Sequence, residues 1–173
     1  MSERARIGGP FLDDYEPDLL LPGLYYADGQ IDGEVYVYGS FTQSRMYRHG
    51  VRCSDCHDPH TLKLRATGNA LCVRCHSPDG NPRFPSLQKK VYDAPEHHFH
   101  PPGSPGAACV ACHMPARTYM QLDRRRDHSL RIPRPDLTLE IGTPNACTGC
   151  HQDRDARWAA DFLVGTAPYM SWS

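Results

Sequence analysis

Apolar residues in this chain come in short bursts broken by proline and glycine, and no stretch holds a helical or strand period for long. Gly8, Gly9, Pro10, Pro17 and Pro22 deny a long helix to residues 1–23 and predict an extended arm. The strand signal lies in 24–38: Tyr25-Tyr26, turns at Asp28-Gly29 and Asp32-Gly33, then Val35-Tyr36-Val37-Tyr38, which predict a small β-ribbon. Ser40 and Gln43 have capping-box spacing, and Gly50 is placed to stop the helix they would start. Residues 77–107 are dominated by proline and glycine and read as loop. Thr143-Pro144 predicts the cap and first turn of a helix through residue 150, and 152–163 reads as a further helix presenting Trp158, Phe162 and Leu163. The run of Leu19, Leu20 and Leu21 is closed by Pro22, and no apolar stretch is long enough to span a membrane.

Only 39% of the residues are hydrophobic, against 16 prolines and 14 glycines, so side chains alone predict a thin core. The cysteines change that picture. All 8 fall in four C-x-x-C-H motifs: Cys53/Cys56/His57, Cys72/Cys75/His76, Cys109/Cys112/His113 and Cys147/Cys150/His151. This is the attachment pattern for c-type haem, in which the thiols form thioethers to the vinyl groups and the histidine binds iron. Paired cysteines also build zinc sites, but zinc does not require histidine directly after the second cysteine. Histidine makes up 10 of 173 residues, so four such placements by chance have odds of roughly one in a hundred thousand. A thioredoxin-like redox motif needs one pair in a βαβ setting, not four pairs in a proline-rich chain.

Four porphyrins supply the apolar core that the side chains lack. The expected fold is therefore a multihaem cytochrome c: one domain over 1–173, with little regular structure, short helices and loops wrapped around four covalent haems. Within it, 1–23 is the arm, 24–50 ribbon and helix, 51–151 the haem-binding core and 152–173 a helix and tail. Motif starts at 53, 72, 109 and 147 give gaps of 19, 37 and 38 residues, the last two hinting at a repeat. No signal peptide is visible at Met1, yet haem is attached to such motifs outside the cytoplasm. A removed leader and a periplasmic or extracellular location are the expectation.

Formal charge is -1 before the propionates are counted, which excludes a nucleic-acid footprint. Of 19 basic residues 16 are arginine, suited to bidentate propionate pairing. Arg124, Arg125 and Arg126 are candidates, with a solvated turn as the plainer alternative.

With His57, His76, His113 and His151 as proximal ligands, six histidines remain for four distal positions, which favours bis-histidine, low-spin iron. His60 is too close to His57 to reach the far face of the same haem and would serve a neighbour. At least two of His97, His98 and His100 are expected ligands, with the choice open; His128 is a further candidate and His49 the leading spare. Met114 follows His113 and cannot bind the same iron, while Met46, Met120 and Met170 are expected to pack against haem.

The stretch from Tyr25 to Ala167 resembles a bacterial multihaem cytochrome c family often fused to tetratricopeptide repeats. The segments that carry the resemblance are Y-A-D-G-Q-I (26–31), E-V-Y-V-Y-G-S-F (34–41), G-V-R-C-S-D-C-H-D-P-H (50–60), G-N-A-L-C (68–72), H-H-F-H-P-P-G-S-P-G-A (97–107), C-H-M-P (112–115), R-R-D-H-S-L-R-I-P-R-P-D-L (125–137) and G-T-P-N-A-C-T-G-C-H (142–151). The resemblance implies bound haem c and electron transfer, with His60, the 97–100 cluster and His128 as distal ligands. Members usually carry further haem motifs before this region and helical repeats after it, which this sequence lacks, and often have histidine where Tyr26 stands. The chain is also similar in size and haem number to subunits of extracellular cytochrome filaments, or nanowires.

Electron transfer rather than catalysis is the expectation, since catalysis at haem needs an open or weakly held distal position. The first expectation is a homopolymer, joined head to tail by stacking of exposed terminal haems into a fibre. A discrete periplasmic carrier between other redox proteins, or between them and extracellular acceptors, uses the same motifs equally well. An oxidoreductase is the third possibility.

Overall fold

The computed structural model describes residues 9–14, 20–33, 36–119 and 121–166. Most of the predicted arm, Val35, Met120, Met170 and the predicted tail from 167 lie outside the described residues. Helices are short: α1 (Phe11–Asp14), α2 (Val37–Thr42), α3 (Arg45–Arg48), α4 (Cys53–Cys56), α5 (Ala70–Val73), α6 (Pro95–His98), α7 (Cys109–His113), α8 (Pro135–Ile141) and α9 (Ala156–Thr166). Strands β1 (Ala116–Tyr119) and β2 (Asp123–Arg126) form an antiparallel hairpin, with Ala116 opposite Arg126.

The hairpin corrects the expected N-terminal ribbon. In 22–33 the chain makes tight turns with isolated bridges, Tyr25 to Ile31 among them, and Val37–Thr42 is helical. Among the described residues the alternation has no neighbouring strand to complete a ladder, and a lone strand leaves its backbone groups unpaired. The Asp28-Gly29 turn does form: Gly29 N–H donates to Tyr26 O at 2.8 Å, and Gln30 N–H to Asp28 Oδ1 at 3.1 Å.

The expected single helix from Ser40 to Gly50 is two pieces. Ser40 lies inside α2, its hydroxyl donating to Val37 O, and the cap of α3 is Ser44, which accepts from Tyr47 N–H at 3.0 Å. Gly50, at φ 83°, ends the second piece as expected. Around the fourth motif the chain forms turns rather than a helix. Asn145, not Thr143, caps them, its Oδ1 accepting from Cys147 and Thr148 N–H at 3.0 Å each. An amide side chain two residues ahead of its target makes an Asx-type turn, which competes with helix. Asp155 starts α9 by accepting from Trp158 N–H at 2.8 Å.

The side-chain core is small. Tyr25, Ile31 and Tyr119 form it, with Leu24 packed alongside. Arg117 ties the hairpin to the N-terminal turns, its guanidinium 5.0 Å from the Tyr26 ring centre and Nη2 donating to Tyr26 Oη at 2.9 Å. Arg131 reaches the same turns at Asp28, 4.0 Å away, and donates to Gln43 Oε1 at 3.2 Å. No helix among the described residues is long and apolar enough to cross a membrane.

Candidate haem sites

The four motifs share a local geometry. In the first, second and fourth, the histidine N–H donates to the carbonyl of the first cysteine at 2.8–2.9 Å, so both thiols and the imidazole sit on one turn. In the third, Cys109–His113 is one helix. All eight thiols are free for thioether formation. Among the described residues no three His, Cys, Asp or Glu side chains converge on a point, whereas a structural zinc centre takes four ligands.

The motifs also succeed one another in space. Arg74 and Arg83 stitch the first to the second: Arg83 pairs with Asp55 at 2.6 Å and Arg74 donates to Asp55 O at 3.2 Å. The Cys75 thiol lies within electrostatic reach of Cys56. Second and third motifs touch directly, the Cys72 thiol donating to Cys109. That bond pushes the Cys72 thiol well above its ordinary range and draws Cys109 down to about 7. Asn69, which precedes α5, fastens the same junction: Oδ1 accepts from Cys109 N–H at 2.9 Å while Nδ2 donates to Asp93 Oδ1 at 2.7 Å and Ala107 O at 2.9 Å. Cys112, raised chiefly by burial, also lies in reach of Cys147 and Cys150. Cys53 and Cys150, at the two ends of this series, are the exposed cysteines; the other six are half-buried.

Imidazole placement separates the candidate ligands. His97 lies 6.1 Å from His113, centre to centre, with ring planes 7° apart. His100 lies 6.0 Å from His151 at 39°. Two metal–nitrogen bonds of about 2 Å, with each ring centre about 1 Å behind its nitrogen, span ~6 Å. Both centre-to-centre separations match that span, the one bis-histidine haem requires. His97 and His100 reach different partners because Phe99 between them adopts a left-handed conformation, φ 57° and ψ 27°, that reverses the chain after α6.

Nδ1 contacts decide which ring nitrogens are free. His57 Nδ1 meets Leu62 O at 3.1 Å, His113 Nδ1 meets Arg131 O at 2.7 Å and His128 Nδ1 meets Arg126 O at 3.0 Å. His100 Nδ1 likewise meets His98 O. Donation from Nδ1 to a carbonyl leaves Nε2 as the lone pair for iron, the usual outer-shell arrangement of metal-bound histidine. His98 is the reverse case: its Nδ1 accepts from His100 N–H at 3.2 Å, which puts the proton of the neutral ring on Nε2. Burial holds His97 down to about 4, and lowers His76 too, so both stay neutral and able to bind metal at pH 7.

His60 sits exposed on a turn organised by Asp58, which accepts from His60 N–H at 3.1 Å. Neither His60 nor His128 has a ring partner among the described residues, and His49 is an exposed C-cap. The arginine run does not form the solvated turn. It is strand β2, where Arg125 pairs with Asp123 at 2.6 Å and Arg126 donates to Met114 O at 3.0 Å behind α7.

The fourth motif has the most apolar surroundings. Trp158 lies 5.0 Å from His151, and Phe162 meets both Trp158 and Phe99. An open apolar cavity of about 530 Å³ lies beside them, lined by Pro95, Phe99, His100, Pro101, Pro102 and Phe162, a size and character suited to a porphyrin. A Cβ on Gly106 would collide with the His100 ring, so this glycine makes room for it. Sequence reading found the motifs and the 97–100 cluster but not Asn69 or Gly106. Of these, only the glycine carries a visible local signal.

Attachment motifs and irregular fold are together the features of multihaem c-type cytochromes. Residues 47–81, which hold the first two motifs, match the family model described as a doubled CXXCH motif. Over 83% of its length the chain superposes on the crystal structure of the outer cell wall cytochrome OcwA, with a TM-score of 0.53 and 15% identity. The chain spans 40% of OcwA, and at this identity the likeness is one of fold. No curated protein matches it.

Proposed function

We propose that this chain transfers electrons through four bis-histidine haem c groups, as the subunit of a conductive filament outside the cytoplasm. The observation that carries the ligation is the pair of imidazole couples, His97 with His113 and His100 with His151. When bound, haem c supplies one-electron iron chemistry with a potential set by its axial ligands. The chain's part is to hold eight thiols and the imidazoles in place. His60, too close to His57 to reach the far face of the same haem, is the proposed partner for the iron of His76, and His128 for that of His57. His98 is left out because its Nδ1 accepts from His100 N–H, which leaves the ring proton on the Nε2 that would bind iron.

The succession of motifs supports a conduit, and the exposed cysteines at both ends of the series support electron entry and exit there. The polymer is the reading for which end-to-end contact between copies is required. A discrete carrier remains the second reading, favoured by the fact that the same exposed ends suit transient redox partners. The described fold neighbour is an outer cell wall protein, which supports a location outside the cytoplasm for this chain also.

Pyridine-haemochrome assay of the purified protein should give four haems per chain; fewer would sink the tetrahaem reading. Electron microscopy of native protein should show thin regular fibres, and monodisperse small particles would transfer the case to the carrier.

A further inference from the structure

Building on the axial pairs proposed above, we infer that Tyr92 is a positioning residue that sets the ring planes of two iron ligands belonging to different haems, His76 and His97. Its ring centre lies 5.7 Å from His76 at an interplanar angle of 86°, and 5.1 Å from His97 at 90°. Both are edge-to-face contacts, the arrangement in which a ring's positive edge meets the partner's negative face. One aromatic side chain therefore touches an imidazole of the second motif and the imidazole facing the third.

The need for such a residue follows from what those two rings lack. A ring bound to a metal through one nitrogen turns easily about that bond, and its outer-shell contact usually fixes its plane. His57, His100, His113 and His128 have that contact through Nδ1 to a carbonyl. Among the described residues, the rings of His76 and His97 meet other rings and have no hydrogen bond. Tyr92 is the side chain both rings share. It is held in turn: its hydroxyl donates to Gln88 O at 3.3 Å, Lys90 Nζ lies 5.5 Å from its ring centre, and the next residue, Asp93, is fastened by Asn69. The near-parallel planes of His97 and His113 are what this clamp, with the Arg131 carbonyl on the other ring, maintains.

The mutual angle of two axial imidazoles controls the anisotropy of a low-spin ferric signal, so electron paramagnetic resonance of the holoprotein reads the inference directly. Tyr92→Leu should move the g values of two of the low-spin components and leave the others in place, with haem content unchanged. Tyr92→Phe, which keeps the ring and loses only the hydroxyl, should restore the wild-type signals. Unchanged g values in a fully loaded Tyr92→Leu protein overturn the inference. Should that variant not load with haem, wild-type protein with labelled tyrosine rings answers instead. The Tyr92 resonance, assigned by its loss in Tyr92→Phe, should be shifted out of the ordinary aromatic range by the flanking irons, and an ordinary position overturns the inference. Failure of the ligation itself looks different: wild-type protein would then be high-spin before any substitution is made.

Discussion

The third and fourth motifs differ from the first two in how they meet a facing imidazole. His113 and His151 each face a ring from one short segment, 97–100, whereas His57 is followed by His60 on an exposed turn and His76 meets Tyr92. Chain length accounts for the contrast. The 37 residues between the second and third motif starts allow a proline-rich excursion that returns carrying two usable imidazoles. The 19 residues between the first two are taken up by the Asp58 turn, the bridge of His57 to Leu64 and the entry to α5. On the proposed ligation an irregular segment delivers the ligands, and its turns matter more than its secondary structure.

The hardest test of this contrast removes one attachment site from each region. Cys109→Ser with Cys112→Ser should delete one haem from the intact mass and destabilise the protein by at least the ~3–5 kcal/mol of deleting a large buried aromatic. Its motif is fastened on both sides, to Asn69 and toward Cys147. Cys53→Ser with Cys56→Ser should also delete one haem, but with a smaller fall in Tm, since that site stands at an exposed end. Equal losses of stability would erase the distinction between the regions.

Within the 97–100 segment the contrast sharpens to single residues. His100→Ala should convert one iron to high spin, visible as a new high-spin band and signal. His98→Ala should leave the low-spin spectrum intact, because its Nδ1 accepts from His100 N–H and its Nε2 therefore carries the proton. The reverse pattern would exchange the two assignments.

The attachment motifs were legible because their chemistry fixes their spacing, and for the distal positions the sequence offered candidates, His60, His128 and the 97–100 cluster. It could not choose among His97, His98 and His100, since that choice depends on the left-handed turn at Phe99 and on Gly106 leaving room for a ring. The ribbon failed for a related reason. Alternation at 35–38 states a preference, but strands form only where a partner strand exists, and the chain supplies one at 116–126 instead. Asn69 was invisible because its three partners lie 24, 38 and 40 residues away.

Asn69 offers the next test, at the boundary between the two regions. Asn69→Ala removes hydrogen bonds to Asp93, Ala107 and Cys109 and leaves the Cys109 N–H without its acceptor. The expected cost is about 1–3 kcal/mol, or a Tm lower by roughly 2–4 °C for each kcal/mol in a chain of this size. Haem content should be unchanged. A wild-type Tm would mean that the covalent haems alone hold the second and third motifs together.

The smallest expected effect lies behind the fourth motif. Asp136 opens α8, where the helix N-terminus favours negative charge, and the bond from Arg134 holds its carboxyl below the usual carboxylate range. Helix α8 in turn supports the fourth motif, Thr138 accepting from Asn145 Nδ2 at 3.0 Å. Because the folded value lies below an unfolded value of about 3.9, the charge contributes stability at neutral pH. That contribution is lost as pH falls through the folded value. Both partners of the pair are about a third exposed, which places it at the weak end of the ~0.2–1 kcal/mol of surface pairs. Asp136→Asn should therefore lower Tm slightly at pH 7 with no change in the haem spectrum, and the two proteins should converge in acid. A gap that persists in acid would show that the side chain acts through the packing of α8 and not through its charge.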